Sequence, residues 1–255
     1  MRQQCSWSVG CVAWAATALF ASPVSAQSSN NPTDWSGQLT PYVWATGLGG
    51  SVAPLPGGPT LDFDKSFGEL IEDLDVALFL AGQVRYKRIV VMSDFSTSTS
   101  SKDGAVPVPG VGLLPAEGRL NQRSITLTGG YRVADQDGLT LDVMGGLRHW
   151  SVRSAIDVAG GAISRSPRVS FTDPLIVVKA NVGVAPRLSA IGYGDIGIGI
   201  GSRSTAQLLL TLNYQVSEHL FLSGGYRQLW LDYAKGGARG DVTMAGPLLG
   251  ATWRF

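Results

Sequence analysis

Between Gln207 and Val216 the side chains switch character at every step. Leu208, Leu210, Leu212, Tyr214 and Val216 fall on one face, and Gln207, Leu209, Thr211, Asn213 and Gln215 on the other. A period of two is the strand period. Residues 124–133 repeat the pattern, with Ile125, Leu127, Gly129, Tyr131 and Val133 opposite Ser124, Thr126, Thr128, Gly130 and Arg132. Residues 139–147 do so again, with Leu139, Leu141, Val143, Gly145 and Leu147 on the apolar side. Extended this way, the pattern predicts strands at 36–53, 75–86, 88–98, 119–133, 138–153, 171–185, 187–200, 203–216, 219–233 and 240–255. That is about ten strands, with 8–12 allowed by the slippage of boundaries read from pattern alone.

Alternating strands suit two architectures. In a soluble sandwich or ligand-binding barrel the apolar faces point inward; in a transmembrane up-and-down antiparallel barrel they face lipid around a polar lumen. The connections separate the two. Residues 86–88, 133–138, 185–187 and 216–219 are short, whereas 54–74, 99–118, 154–170 and 234–239 are mostly long, and only 201–202 is tight on that side. Short turns at one end and long loops at the other are the layout of an outer-membrane barrel, the short end being periplasmic. An even strand number puts both chain ends there.

The N-terminal stretch supports the same compartment. Arg2 precedes an apolar run from Val9 to Ala21, then Pro23 and the small residues Val24, Ser25 and Ala26. This predicts a cleavable secretory leader over 1–26, a polar segment over 27–34 and the barrel over 35–255. The run is shorter than the roughly 20 residues a membrane-spanning helix needs. Cys5 and Cys11, the only cysteines, both lie in the leader, so the mature chain has no disulfide, thiolate or cysteine metal site. Without Arg2 it carries 19 basic and 19 acidic residues. That balance argues against nucleic acid as a partner.

The polar faces carry charges that a barrel would place inside: Arg85, Asp94, Arg132, Asp142, Arg148, Asp173, Lys179, Asp195, Arg227 and Arg254. Six cations and four anions in a narrow lumen are expected to pair with one another, because a buried unpaired charge is costly. Arg148, Arg227, Asp142 and Asp195 are the expected central members. At the other surface, Ala245, Pro247, Leu249, Ala251, Trp253 and Phe255 share one face of the last strand. Trp253 and Phe255, with Tyr226 and Tyr131, are the expected membrane-rim aromatics. Phe255 also resembles the C-terminal signal that outer-membrane barrels present to their assembly machinery.

Other motifs are less specific. Asp62, Asp64, Glu69, Glu72, Asp73 and Asp75 cluster in and beside the first long loop, where Ser66-Phe67-Gly68-Glu69 matches a capping box. Phe67, Leu70, Ile71 and Leu74 follow at helical spacing, predicting a short helix over 66–74. The acids match no calcium-loop spacing and read as a solvated face. His149 and Ser151 have the spacing of lipid A deacylases and share the outward parity, beside Trp150 as an interfacial aromatic. The rest of that signature is missing, for Val152-Arg153-Ser154 follows and no Glu orients the His. Gly192 to Gly197 spells G-x-G-x-x-G, but no helix follows it and no βαβ unit surrounds it. His219 falls in a short turn. No metal set and no cofactor is expected.

Four stretches carry a resemblance. They are Trp35-Ser36-Gly37-Gln38-Leu39-Thr40-Pro41-Tyr42-Val43-Trp44; Gly194-Asp195-Ile196-Gly197-Ile198-Gly199-Ile200-Gly201-Ser202; Gly225-Tyr226-Arg227 with Leu231-Asp232-Tyr233; and Gly246-Pro247-Leu248-Leu249-Gly250. Together they resemble a group of uncharacterised proteobacterial outer-membrane β-barrel proteins akin to the outer membrane protein A transmembrane class, within the porin-like superfamily. The chain departs from that pattern at Ile191 and His149. The resemblance implies the barrel and a Gram-negative outer membrane, with outer-membrane lipid and lipopolysaccharide as surroundings and the barrel-assembly machinery as a partner. It brings no catalytic residues. The leading expectation is a monomeric, non-enzymatic barrel with a structural or surface-interaction role. The alternatives are a narrow channel for small solutes, a lipid A-modifying hydrolase using His149 and Ser151, and a soluble barrel.

Overall fold

The computed structural model describes residues 34–53, 61–66, 68–69, 74–108, 112–158, 160, 163–166, 168–199, 202–235 and 238–255. The leader over 1–26, nearly all of the polar segment, and Glu72 and Asp73 lie outside the described residues.

Among the described residues thirteen strands are formed: β1 (Trp35–Trp44), β2 (Gly47–Ala53), β3 (Leu61–Lys65), β4 (Leu74–Tyr86), β5 (Ile89–Val108), β6 (Gly112–Gln136), β7 (Leu139–Val158), β8 (Ile163–Arg165), β9 (Arg168–Ala185), β10 (Leu188–Ile198), β11 (Ser204–Gln215), β12 (Leu220–Lys235) and β13 (Ala238–Arg254). Ten of them make the wall, in the order β1-β4-β5-β6-β7-β9-β10-β11-β12-β13, and β13 pairs back onto β1 to close it. Every wall pairing is antiparallel. Closure leaves no open edge within the wall.

One end turns tightly. Asp137 (φ 47°) and Gly138 (φ 80°) both take left-handed backbone, the conformation of a two-residue hairpin whose twist matches its strands. Lys87 (φ 53°) and Arg187 (φ 68°) supply the left-handed residue of the 87–88 and 186–187 turns. At the other end the expected long loops are largely strand. The β5–β6 ladder runs unbroken from Ile89↔Tyr131 to Val108↔Gly112, and β8 folds back on β7. The 99–118 and 154–170 segments are therefore mostly tall hairpins, because antiparallel pairing started in the wall continues beyond it.

Two further expectations need correction. The strand read over 36–53 is broken at Ala45 and Thr46 into β1 and β2, both pairing with β13 on either side of Gly246. The helix over 66–74 is not borne out as an element. Leu74 already belongs to β4, and helical backbone is described at Gly68 and Glu69 alone. The capping-box bonds do form locally: Glu69 Oε2 accepts from the Ser66 N–H and hydroxyl at 2.8 Å each.

The alternation sorts side chains as a lipid-facing barrel requires. Leu208, Leu210, Leu212, Tyr214 and Val216 are exposed on the outer surface, as are Ile125, Leu127, Val143, Leu147, Ile176, Ile196 and Leu249. The charged residues Asp142, Arg148, Asp173, Lys179, Asp195 and Arg227 are buried inside. The interior is not polar throughout, however. Trp44, Trp150, Phe171, Leu229, Met244 and Leu248 form a buried cluster toward the hairpin end, and Val90, Met144, Leu175, Val177 and Tyr193 form a second one.

Candidate functional site

The interior holds a cross-lumen polar network. Arg148 on β7 makes a two-pronged pair with Asp195 on β10, Nη1 to Oδ1 at 3.0 Å and Nη2 to Oδ2 at 2.6 Å. Its Nε donates to Thr126 Oγ1 at 3.0 Å. Asp195 Oδ2 also accepts from the Tyr193 hydroxyl at 2.8 Å. Arg148 and Asp195 are 1% and 3% exposed, so the pair stands out of water. Fork geometry and additional donors are what such a pair needs to offset its desolvation.

Gln207 on β11 joins this pair to a second one. Its Oε1 accepts from Arg148 Nη2 at 3.4 Å and from Arg227 Nη2 and Nε at 2.7 and 3.2 Å. Arg227 on β12 reaches across to β1, donating from Nη1 to the Tyr42 hydroxyl at 2.7 Å; that hydroxyl donates to Asp94 Oδ2 on β5 at 2.8 Å. Asp94 Oδ1 lies 3.5 Å from Arg227 Nη2. One chain of contacts thus ties β1, β5, β6, β7, β10, β11 and β12 through the middle of the barrel.

The apolar cluster roofs this network. The Arg227 guanidinium lies over the Trp44 ring at 4.6 Å from its centroid. Trp44 and Trp150 are 6% and 3% exposed, and neither indole N–H has a hydrogen-bond partner among the described residues. Packing and the contact of the Arg227 guanidinium with the Trp44 ring hold this cap. Beneath it is a cavity of about 140 Å³ lined by Tyr42, Asp94, Lys179, Tyr193, Leu209 and Arg227, among others.

The remaining charges occupy other places than the centre. Asp142 is not central: it pairs with Arg132 Nε at 2.8 Å toward the tight-turn end. Lys179 donates to Gln83 Oε1. Arg85 donates to the Lys87 carbonyl at 2.8 Å. Arg254 lies over the Phe221 ring at 3.8 Å. Asp173 sits toward the hairpin end and accepts from the Ser202 backbone N–H at 2.8 Å. Tyr42, Tyr193, Gln207 and Thr126 carry the network but are neutral, so a search for charges passes over them. Their parity, which is inward on every strand concerned, is the signal that finds them. Ile191 lines the cavity wall.

Outside, Trp253 stacks on His219 at 5.7 Å, and Phe255 is exposed beside β1. Tyr131 stands at the tight-turn end near Arg88. Tyr226 is higher on the wall, between Leu210 and Pro247. Trp35 and Tyr86 add an aromatic pair at the tight-turn end, 4.7 Å between centroids.

His149 and Ser151 lie two residues apart on β7, at outward positions. His149 Nδ1 bonds Thr172 Oγ1 at 2.8 Å, and no bond joins His149 to Ser151 among the described residues. Trp150 points into the lumen and is not an interfacial aromatic, because inward parity falls on the even positions of β7. The glycine string of 192–197 lies on β10. Asp62, Asp64 and Glu69 are exposed, and no group of three potential metal ligands occurs among the described residues.

A closed antiparallel barrel, aliphatic outside and charged within, is the fold of outer-membrane β-barrel proteins. The outer-membrane protease OmpT of Escherichia coli has this fold: 12% identity, 87% of this chain and 96% of that chain covered, TM-score 0.56. More distant similarities include the translocator domain of the autotransporter NalP from Neisseria meningitidis (12% identity, 89% and 90% covered, TM-score 0.46) and Ail of Yersinia pestis (14%, 87% and 98%, TM-score 0.35). No family model and no curated protein matches the chain. At such identities the likeness carries the fold and no catalytic residue.

Proposed function

We propose that this chain is an integral outer-membrane protein with a closed lumen, serving a structural and surface-interaction role. One observation carries this reading: Arg227 is hydrogen-bonded across the lumen and roofed by Trp44, with both side chains buried. A water path along the axis would have to break that network and part the cap. What the barrel offers its surroundings instead is the hairpin end, where β5 and β6 rise well beyond their wall segments. The leader read over 1–26 agrees with export, and the exposed aliphatic belt agrees with residence in lipid.

Planar-bilayer recording on the purified barrel tests the closed lumen. The expected record is flat. Steady single-channel steps overturn the reading in favour of a small-solute channel. Heat-modifiable gel migration of outer-membrane fractions tests the compartment, and a compact detergent-free monomer would overturn it.

A further inference from the structure

The outer surface of β6, β7 and β9 changes character abruptly on the way to the hairpin end. An apolar row of Leu127 beside Leu147 beside Pro174 is followed by a mixed row of Ile125 beside His149 beside Thr172. The next row is Arg123, Ser151 and Ser170, and the one beyond is Asn121, Arg153 and Arg168. Parity puts all of these outside: Arg123, Arg153 and Arg168 are exposed, while Ser124, Trp150 and Phe171 on the alternate positions are buried in the lumen.

Arg153 and Arg168 are direct cross-strand partners. Like charges placed so are destabilising unless something neutralises them. Arg123 sits diagonally from Arg153, within reach of a long side chain. None of the three has a carboxylate partner among the described residues. The acids on the same face, Glu117 and Asp157, oppose each other four residues further out, and Glu117 already takes Arg119 at 2.9 Å. Other exposed arginines are matched differently; Arg203, for example, lies 3.7 Å from Asp232.

We propose that Arg123, Arg153 and Arg168 bind the phosphates of an outer-leaflet glycolipid whose acyl chains lie against Leu127, Leu147 and Ile125. The proposal rests on the outer-membrane reading above. Guanidinium forks match phosphate oxygens, and basic clusters bordering the hydrocarbon select anionic headgroups. The cluster spans two rows of the wall, roughly 7 Å apart along the strands, which suits a headgroup bearing more than one phosphate. Ser151, Ser170 and Thr172 supply hydroxyls between the guanidiniums and the apolar wall.

The test uses the full barrel in phosphatidylcholine nanodiscs, titrated with bisphosphorylated lipid A and, separately, with the same lipid after enzymatic removal of its phosphates. The wild type is expected to bind the phosphorylated lipid in a salt-sensitive manner and the dephosphorylated lipid far more weakly. Arg153→Gln with Arg168→Gln is expected to weaken binding by about tenfold or more. Arg203→Gln with Arg239→Gln, removing equal charge beside β11 and on β13, is expected to bind as the wild type does. Equal binding by R153Q/R168Q overturns the proposal, as does an equal loss in R203Q/R239Q, which would reduce the effect to net charge. Each variant is checked by heat-modifiable migration. A wild-type chain that does not enter the bilayer at all overturns the outer-membrane reading itself, a result distinct from insertion without arginine-dependent binding.

Discussion

Phe255 and Gly37 exchange both backbone hydrogen bonds across the β13–β1 closure, Phe255 N to Gly37 O at 3.0 Å and Gly37 N to Phe255 O at 2.8 Å. The Phe255 ring lies over Gly37, where any Cβ would collide with it. The glycine thus provides a seat for the ring on the outer surface, and the ring covers the end of the seam that closes the barrel.

The two contributions of Phe255 separate experimentally. Phe255→Ala keeps both backbone bonds and loses the ring; removing the residue loses both. In refolding from urea into detergent micelles, Phe255→Ala is expected to cost about 0.5–1 kcal/mol, in line with an aromatic that is 72% exposed. Removing the residue is expected to cost more, because each lost hydrogen bond adds about 1 kcal/mol. Equal midpoints for the two variants would show that the backbone pair contributes nothing to closure.

Within the lumen, Arg148 and Asp195 stabilise the barrel only as a pair. Arg148→Ala leaves Asp195 buried without its counter-charge, and Asp195→Ala leaves Arg148 so. Each is expected to lower unfolding free energy by about 3–5 kcal/mol. The double variant Arg148→Ala with Asp195→Ala removes both charges and is expected to lose clearly less than the sum of the singles. Urea titrations followed by gel migration measure all four proteins. A double variant as unstable as the sum of the singles would show that the two residues act independently.

Much of this architecture could be read directly from the chain, and the reason is the strand period. Leu208 to Val216 and Ile125 to Val133 fix which face meets lipid, and Asp137-Gly138 fixes a hairpin. Ten wall strands follow from ten such segments. What could not be read depends on inward positions that are not polar. Trp150 follows His149 in sequence and looks like a rim aromatic, yet one step of alternation sends it into the lumen. Asp142 and Asp195 look equivalent as inward acids, but height along the strands decides their partners: Asp142 meets Arg132 near the turns, and Asp195 meets Arg148 at mid-barrel. The hairpin extensions were hidden because residues 99–118 lack the aliphatic face that lipid demands. They pair through backbone bonds that need no such face. Of the helix expected over 66–74, Gly68 and Glu69 are described as helical, residues 67 and 70–73 lie outside the described residues, and Leu74 has already joined β4.

Glycine is required where wall strands crowd. A Cβ on Gly146 would strike the Leu127 carbonyl of the neighbouring strand, whereas the nearest atom to a Cβ on Gly129 is the Val90 carbonyl at 4.0 Å. Gly146→Ala must push backbone apart and is expected to destabilise the barrel by more than about 2 kcal/mol, the scale of overpacking. Gly129→Ala is expected to be neutral or slightly stabilising, since it lowers unfolded-chain entropy without strain. Thermal gel-shift midpoints compare them, and a neutral Gly146→Ala would mean that the β6–β7 contact relaxes more easily than its geometry implies.

On the closed-lumen proposal the apolar cap and the Arg227 network act in series, so neither is expected to be the sole seal. Trp44→Ala with Trp150→Ala empties the cap but leaves Arg227 bonded to Tyr42 and Gln207. Arg227→Ala alone opens the network beneath an intact roof. Each Trp truncation costs about 3–5 kcal/mol, so folding of every variant is first established by heat-modifiable migration. In planar bilayers the two partial variants are expected to stay silent. Only the triple variant W44A/W150A/R227A is expected to show single-channel steps, through the space its truncated side chains vacate above the 140 Å³ cavity. Conduction by the double tryptophan variant alone would show that the polar layer admits ions and that the cap is the true barrier.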